Sequence, residues 1–314
     1  MSGEANIGFN LYVWDMEAQN RALRSHIAPA VAALRTAGDL DFFWFDRDDL
    51  RGPHLYMVAS APESRREAAE QALRRAVEQA LAESPSTLEL DAEHLQARHD
   101  ACYERFRSDL DAEPGFEADN TLRDFSPRSG SVPFSWHPSI LADGAFQRRL
   151  TELALWAVDH LGEDGKPASL GHALYWLADL DRALGDSAAS KSYWTYHLGC
   201  DIPGFKRVLA AGEGQAAVMA ERKIGDKNRS AFEPLWRLGE IHGPSWQPMP
   251  DFVRSAVDPS AEAPEKRWFL LREIVHSALK QMGLKVRDHI LLGLYAWSVH
   301  HPAPERVSEV DSHA

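Results

Sequence analysis

Residues 40–59 read LDFFWFDRDDLRGPHLYMVA, two short extended segments joined by a polar connection. Phe42–Arg47 is rich in aromatics, which suit a pleated, half-buried surface. Asp48–Pro53 supplies turn chemistry, with Gly52-Pro53 directly before the second segment. Strand alternation puts Phe43, Phe45 and Arg47 on one face, and His54, Tyr56 and Val58 on one face of the partner. A cation and an imidazole thus sit at the two ends of one connection, backed by aromatics. Spacing alone reads them as a solvated Arg and a turn-capping His.

Upstream, Ile7, Phe9, Leu11 and Val13 alternate as a first strand. Leu23, Ile27, Ala30, Val31 and Leu34 recur at helical spacing up to Gly38. Downstream, a capping-box-like start at Ser60–Glu63 opens a helix over 64–83 with the stripe Ala69, Leu73, Ala76, Val77, Ala80 and Leu81. Thr87–Leu90 reads as a fourth strand. The order β-α-β-β-α-β predicts a ferredoxin-like antiparallel sheet covered by helices. Between 107 and 138 the pattern dissolves into Asp, Ser, Gly and Pro, the composition of a long loop. From 139 to 301 the chain reads as helical: 146–161, 170–184, 202–211, 231–239, and two last helices carrying Trp268 to Met282 and Ile290 to Trp297. The expectation is an α+β chain in which residues 1–106 hold the sheet and pack with a mostly helical C-terminal part as one domain over 1–314.

The 314 residues carry a net charge of −13, from 47 acidic and 34 basic side chains. That balance argues against a nucleic-acid footprint, which needs a basic face. No apolar run reaches the roughly 18 residues a membrane span needs, and the N-terminus MSGEANIGFN has no secretory pattern. Two cysteines, Cys102 and Cys200, make no disulfide framework and no metal-ligand spacing, so a cytoplasmic setting is expected. The ten Trp residues either line concave sites or fill an irregular core.

GxSxG, Walker A, GxGxxG and HExxH motifs are all missing from the sequence. His300-His301 is a poor metal site, because adjacent imidazoles rarely converge on one ion. Three groups stand out instead. Arg47, His54 and Tyr56 flank the hairpin. Cys102-Tyr103-Glu104-Arg105-Phe106 is an acid–base–aromatic cluster whose plain alternative is a weak surface ion pair. His276 and Gln281, with Tyr295 and Ser298 one turn apart, mark the final helical pair.

The run FFWFDRDDLRGPHLYMV resembles the signature of the glutamate-elimination domain of class I lanthipeptide dehydratases. That family shows an aromatic strand bearing Arg, a Gly/Pro connection and a His-Leu-Arg-Leu-Arg strand. Tyr103-Glu104-Arg105-Phe106 is similar to its Glu-Arg-Tyr-Gly motif, and residues 9–34 fit its opening. Trp194–Leu198 and the helix of His276 match later segments more loosely. The departures are specific. This chain has His54-Leu55-Tyr56-Met57-Val58, so both strand arginines are gone. The late His-Met-His-x-Asn-Arg motif is here His276-Ser-Ala-Leu-Lys-Gln281. Loss of those cations removes the partners a glutamyl carboxylate would need.

The eroded pattern is similar to that of the thiopeptide pyridine synthases. These reuse the elimination fold for a formal [4+2] aza-cycloaddition between two dehydroalanines of a modified precursor peptide, then lose water and the leader peptide. The resemblance implies no metal and no other cofactor, a precursor peptide (leader and core) as partner, further enzymes of the same pathway, and neither nucleic acid nor membrane. It implies catalytic roles among His54, Glu104, His276, Gln281, Tyr295 and Ser298, and substrate binding by Arg47, Tyr56, Tyr103 and Arg105. Two other readings stand beside it: glutamate elimination from glutamylated Ser or Thr, and a non-catalytic scaffold that escorts the precursor.

Overall fold

A computed structural model describes residues 5–48, 51–89, 117–125, 144–162, 168–185, 187–241, 249–256 and 264–302, with a few positions between 91 and 100. The strands are β1 (Ala5–Tyr12), β2 (Phe42–Asp48), β3 (His54–Ala61) and β4 (Thr121–Phe125). The helices begin with α1 (Met16–Ala22), α2 (Ala28–Ala37), α3 (Arg66–Glu83) and α4 (Gly144–Asp159). They continue with α5 (Leu170–Ala183), α6 (Ser187–Asp201), α7 (Phe205–Ala211) and α8 (Glu213–Ile241). The last three are α9 (Met249–Ala256), α10 (Pro264–Gln281) and α11 (Val286–His300). Two compact units form, Met1–Ser169 with Glu273–Leu284, and Leu170–Arg272 with Lys285–Ala314. No described helix is long and apolar enough to cross a membrane.

The first unit is α+β. Its sheet has the order β2-β3-β1-β4 with every neighbouring pair antiparallel. Register puts Ile7, Phe9, Leu11, Phe43, Phe45, Leu55, Met57 and Ala59 on one face, all buried. Of these, Ile7, Phe9, Phe43, Met57 and Ala59 join Val58, Ile27, and Leu73 and Val77 of α3 around a small apolar cavity. Ile27 ends a π-helical turn, Leu23–Ile27, between α1 and α2. α2 stops at Gly38, whose φ of 72° allows the left-handed closing turn.

An edge strand exposes unpaired backbone groups. On β2 they are met by side chains: Thr151 of α4 accepts from the Phe43 N–H at 3.0 Å, and Gln281 of α10 donates to the Phe45 carbonyl at 2.5 Å.

The described part of the strand expected at Thr87–Leu90 takes no regular structure, nor do residues 85 and 86, and Leu90 lies outside the described residues. The fourth strand is Thr121–Phe125, inside the stretch the composition marks as loop. TLRDF carries little apolar signal because its pairing with β1, not its own burial, makes it a strand. Asn120 joins the two segments: its amide accepts from Ser86 N at 2.7 Å and donates to Ser86 O at 3.0 Å. An amide side chain thus supplies the pairing a backbone ladder would have given.

The second unit is helical among its described residues. α8 approaches α5 at Gly239, where a Cβ would lie 2.8 Å from that of Ala178, so only glycine permits the packing distance. Trp176, Trp194 and Trp297 are fully enclosed here, as is Trp44 in the first unit. Core filling therefore accounts for these four tryptophans. α6 is absent from the sequence expectation. Its inward stripe is Ser190, Tyr193, Trp194, His197 and Leu198, at helical spacing but two-fifths polar.

Candidate functional site

Sheet register assembles polar residues on the face opposite the apolar one. Asp46, Tyr56, Asn10 and Arg123 lie directly across from one another over all four strands, and Asp48, His54, Tyr12 and Thr121 form the adjacent row. His54 is buried, at 4% exposure. Its Nδ1 is 2.9 Å from the Gly52 carbonyl. A carbonyl only accepts, so Nδ1 carries the proton and Nε2 is the basic nitrogen of the neutral ring. The ring lies against Tyr12, with centroids 4.6 Å apart. Burial pushes the Tyr12 phenol up, opposed by the Arg51 cation and reinforced by Glu117 and Asp48.

Glu117 holds that end of the sheet together. It bonds Arg51 Nη2 at 2.5 Å and Arg123 Nε at 3.0 Å, and its N–H donates to the Arg51 carbonyl at 2.8 Å. Arg51 has φ of 64°, a conformation costly for a non-glycine residue and held by these bonds. The geometry suits proton transfer at His54, which lies against the Tyr12 phenol ring.

Arg47 and His54 do not share a site. Arg47 is opposite Leu55 and His54 opposite Asp48, so the two side chains leave opposite faces. Arg47 Nε donates to the Lys280 carbonyl at 2.8 Å, Nη1 to Gln19 Oε1 at 2.7 Å, and Nη2 to the Gln281 carbonyl at 3.1 Å and to Asn20 Oδ1. Burial lowers its pKa to about 10, with Asp46 opposing. The guanidinium fastens α1 and the end of α10 to β2. Four of its five N–H groups are given to protein acceptors, so most of its donor capacity serves the fold. Burial also raises Asp46 to about 6, against Lys280 at 3.6 Å and the Arg47 N–H. Gln281 is fully enclosed. Its Nε2 serves Phe45, and its Oε1 has no hydrogen-bond partner among the described residues. His276 is half-buried on α10, and Tyr56 is half-buried on β3. Tyr103, Glu104 and Arg105 lie outside the described residues.

Tyr295 and Ser298 come together in the second unit, on the buried side of α11, at 2% and 3% exposure. The Ser298 hydroxyl donates to the Tyr295 carbonyl at 2.8 Å and accepts from Arg229 Nη2 at 3.1 Å. The Arg229 guanidinium carbon stands 5.8 Å from the centre of the Tyr295 ring. Phe232 and Trp236 meet that ring edge-on. Arg229 also pairs with Glu221, eight residues earlier on the same helix. This pairing spans a break at Gly225, whose φ of 72° and ψ of 154° leave the helical region.

The histidine pair at the C-terminal end serves two separate tasks. His300 Nε2 is 3.0 Å from both oxygens of Asp181, which also accepts from Trp194 Nε1. His301 stacks flat on Trp297. Another buried imidazole, His197, is 3.1 Å from Asp201, which Arg272 grips through two nitrogens.

Sequence spacing missed Tyr12, Asn10, Arg123, Glu117 and Arg229. The first two were legible as the non-core members of ANIGFNLY, whose alternation was read only for its core side. Glu117, Arg123 and Arg229 depend on tertiary contacts that no local pattern carries.

No family model matches this chain, and no curated protein matches it by sequence. Among solved structures it is similar to the pyridine synthase TbtD from thiomuracin biosynthesis, with a TM-score of 0.65 and 18% identity over 95% of this chain and 98% of that one. TsrL follows at a TM-score of 0.48 and 15% identity, covering 94% and 95%. The tRNA-dependent lantibiotic dehydratase MibB from Microbispora sp. 107891 gives 0.46 and 14%, covering 95% of this chain and 28% of that one. The relationship expected from the hairpin motif is thus met by a shared fold along nearly the whole of both chains in the first comparison.

Proposed function

We propose that this chain is a cofactor-independent cyclase of ribosomal-peptide maturation that forms a pyridine-type ring and a macrocycle. It does so by formal [4+2] cycloaddition of two dehydroalanines in a modified precursor peptide, in the cytoplasm and alongside other enzymes of its pathway. The observation that carries this reading is the end-to-end fold likeness to a pyridine synthase. Support comes from Tyr56 and Val58, which stand where the elimination enzymes keep arginines. The strand order β2-β3-β1-β4, with β3 between β1 and β2, supports a ferredoxin-like reading of the first unit.

In this mechanism one amide tautomerises to an iminol and, with its neighbouring alkene, forms the azadiene that meets the second dehydroalanine. Bringing two alkenes together is mainly an entropic task. Tyr295 and Ser298 orient the reacting amide, and Gln281 contributes a fixed amide group. His54, Glu104 or His276 moves protons as water and the leader leave, with Tyr56, Tyr103 and Arg105 binding the peptide. Neutral donors suffice for a tautomer shift, whereas glutamate elimination would call for cations facing a carboxylate.

The test is mass spectrometry of the purified protein incubated with a thiazole-containing bis-dehydroalanine peptide. Leader release and a macrocyclic product support cycloaddition. An unchanged peptide, together with glutamate loss from a glutamylated substrate, would establish elimination instead.

A further inference from the structure

Within the first unit an open cavity of about 610 Å³ lies between the end of α2 and the start of α4, a size that suits a ligand. α2 stops at Gly38, where the Asp39 N–H bonds back to the Leu34 carbonyl at 2.9 Å. α4 is held along the β2 edge by Thr151, which leaves a gap between the two helix ends. Leu40 and Leu155 give this gap part of an apolar lining. Two arginines line it as well, Arg35 from the last turn of α2 and Arg148 from the second turn of α4. Arg148 Nη1 stands 3.8 Å from the point that a Cβ on Gly144 would occupy. Its guanidinium therefore folds back along the first turn of α4, where Gly144 itself borders the cavity.

Neither arginine spends its donors on the fold. The Arg35 side chain is only 24% exposed, yet it makes no hydrogen bond among the described residues. Its ion-pair partner, Glu152 Oε1, is 3.8 Å from Nη2, beyond hydrogen-bond range. Arg148 has neither a hydrogen bond nor an ion pair among the described residues. Arg47, by contrast, gives four of its N–H groups to protein acceptors. A guanidinium stays charged at any accessible pH, so these donors await an acceptor. The fork of N–H groups matches a carboxylate, which takes two of them at once. Asp41 lines the same cavity and opposes an anion, so close N–H contacts must hold the ligand rather than the net field. That suits a chain of net charge −13, because long-range repulsion is screened beyond about 8 Å at physiological salt.

We propose that this cavity is a leader-binding subsite, in which Arg35 and Arg148 together hold a carboxylate side chain of the precursor peptide. The assignment rests on reading the chain as a cyclase of ribosomal-peptide maturation. Under that reading the reacting residues of the core are dehydroalanines beside thiazoles, which carry no charge, so the carboxylate comes from the leader. A contact remote from the reacting atoms acts equally on bound substrate and transition state. It therefore sets peptide affinity and leaves the chemical step unchanged.

The experiment measures binding of a fluorescein-labelled leader segment by fluorescence anisotropy, beside the same segment with each Asp and Glu changed to Asn and Gln. The full chain is used as wild type, Arg148→Gln, Arg35→Gln, Arg35→Lys and Asp41→Asn, with Tm and cyclisation of the whole precursor followed in parallel. Wild type should bind the acidic leader about 10-fold or more tightly than its amide counterpart, the effect of charge-assisted bonds. Arg148→Gln should remove most of that preference with Tm unchanged, and in turnover raise KM with kcat unaltered. Arg35→Gln should do the same, with Arg35→Lys recovering part. Asp41→Asn should tighten the acidic leader by about two- to fivefold, as loss of one exposed like charge allows. Equal binding of the two leaders, or a preference that survives Arg148→Gln, overturns the proposal. A lower Tm in Arg35→Gln with the preference intact makes Arg35 a counter-charge for the α2 C-terminus and also overturns it. A preference that depends on both arginines, without cyclisation, would refute cycloaddition and leave the cavity assigned. Cyclisation with no acidic preference would remove the cavity and leave cycloaddition standing.

Discussion

Replacing Arg47 by Met separates a structural role from a substrate role for the residue that first drew notice in the hairpin. The guanidinium bonds four neutral acceptors: the carbonyls of Lys280 and Gln281 and the side-chain oxygens of Gln19 and Asn20. Bonds to a charged group contribute about 1.5–3 kcal/mol each, roughly 6–12 kcal/mol in all. Enclosing the cation offsets several kcal/mol of this, consistent with a pKa lowered by burial to about 10. Met fills the stem volume but leaves four acceptors without a donor. The net loss should be about 3–4 kcal/mol, within the range for breaking one side of a buried charged network. At about 2–4 °C per kcal/mol for a unit of this size, Tm should fall by roughly 6–16 °C in differential scanning calorimetry. Peptide binding at a temperature where the variant is folded should be retained. A Tm within about 2 °C of wild type, with binding abolished, would refute the structural assignment and return Arg47 to the substrate.

Asp46→Asn tests the buried carboxyl. Its pKa is raised in the fold from 3.8 to about 6, so folding favours the protonated form. Stability from this group is fully present below about pH 4 and is lost as pH rises through about 6. The 2.2-unit difference corresponds to about 3 kcal/mol. Asn mimics the protonated state, so the variant should match wild type near pH 4 and exceed it at pH 8 by up to that amount in urea titrations; an unchanged pH dependence contradicts the assignment. Thr151→Val keeps the shape but leaves the Phe43 N–H of the β2 edge without its acceptor. It should cost about 1–3 kcal/mol and speed hydrogen exchange at Phe43 selectively, an outcome that uniform exchange across the sheet would exclude.

The hairpin and the flanking helices were legible because their apolar residues recur at periods of 2 and 3.6, and burial follows those periods. Gly38 ends α2 as expected, since a left-handed turn needs a residue without Cβ. β4 escaped because an edge strand held by ladder bonds to β1 needs few apolar residues. α6 escaped because Ser190 and His197 occupy its inward stripe, and a pattern counted in apolar residues cannot register an imidazole buried against Asp201. The candidate residues were legible one at a time but not in their grouping. Alternation marks which residues share a face of one strand; only register shows that His54 stands with Tyr12 and Asp48 while Arg47 points the other way. Tyr295 and Ser298 were readable as a pair from their spacing, and Arg229 was not, because it arrives from a helix whose break at Gly225 interrupts the pattern.

The most direct test of the central claim is the intact-mass profile of a thiazole-containing, bis-dehydroalanine precursor after incubation with the purified protein. Cycloaddition predicts that the precursor mass disappears into a released leader and a core lighter by one water, with the core resistant to exopeptidase as a macrocycle. An unchanged precursor, alongside glutamate loss when a glutamylated Ser or Thr peptide is supplied, would contradict it.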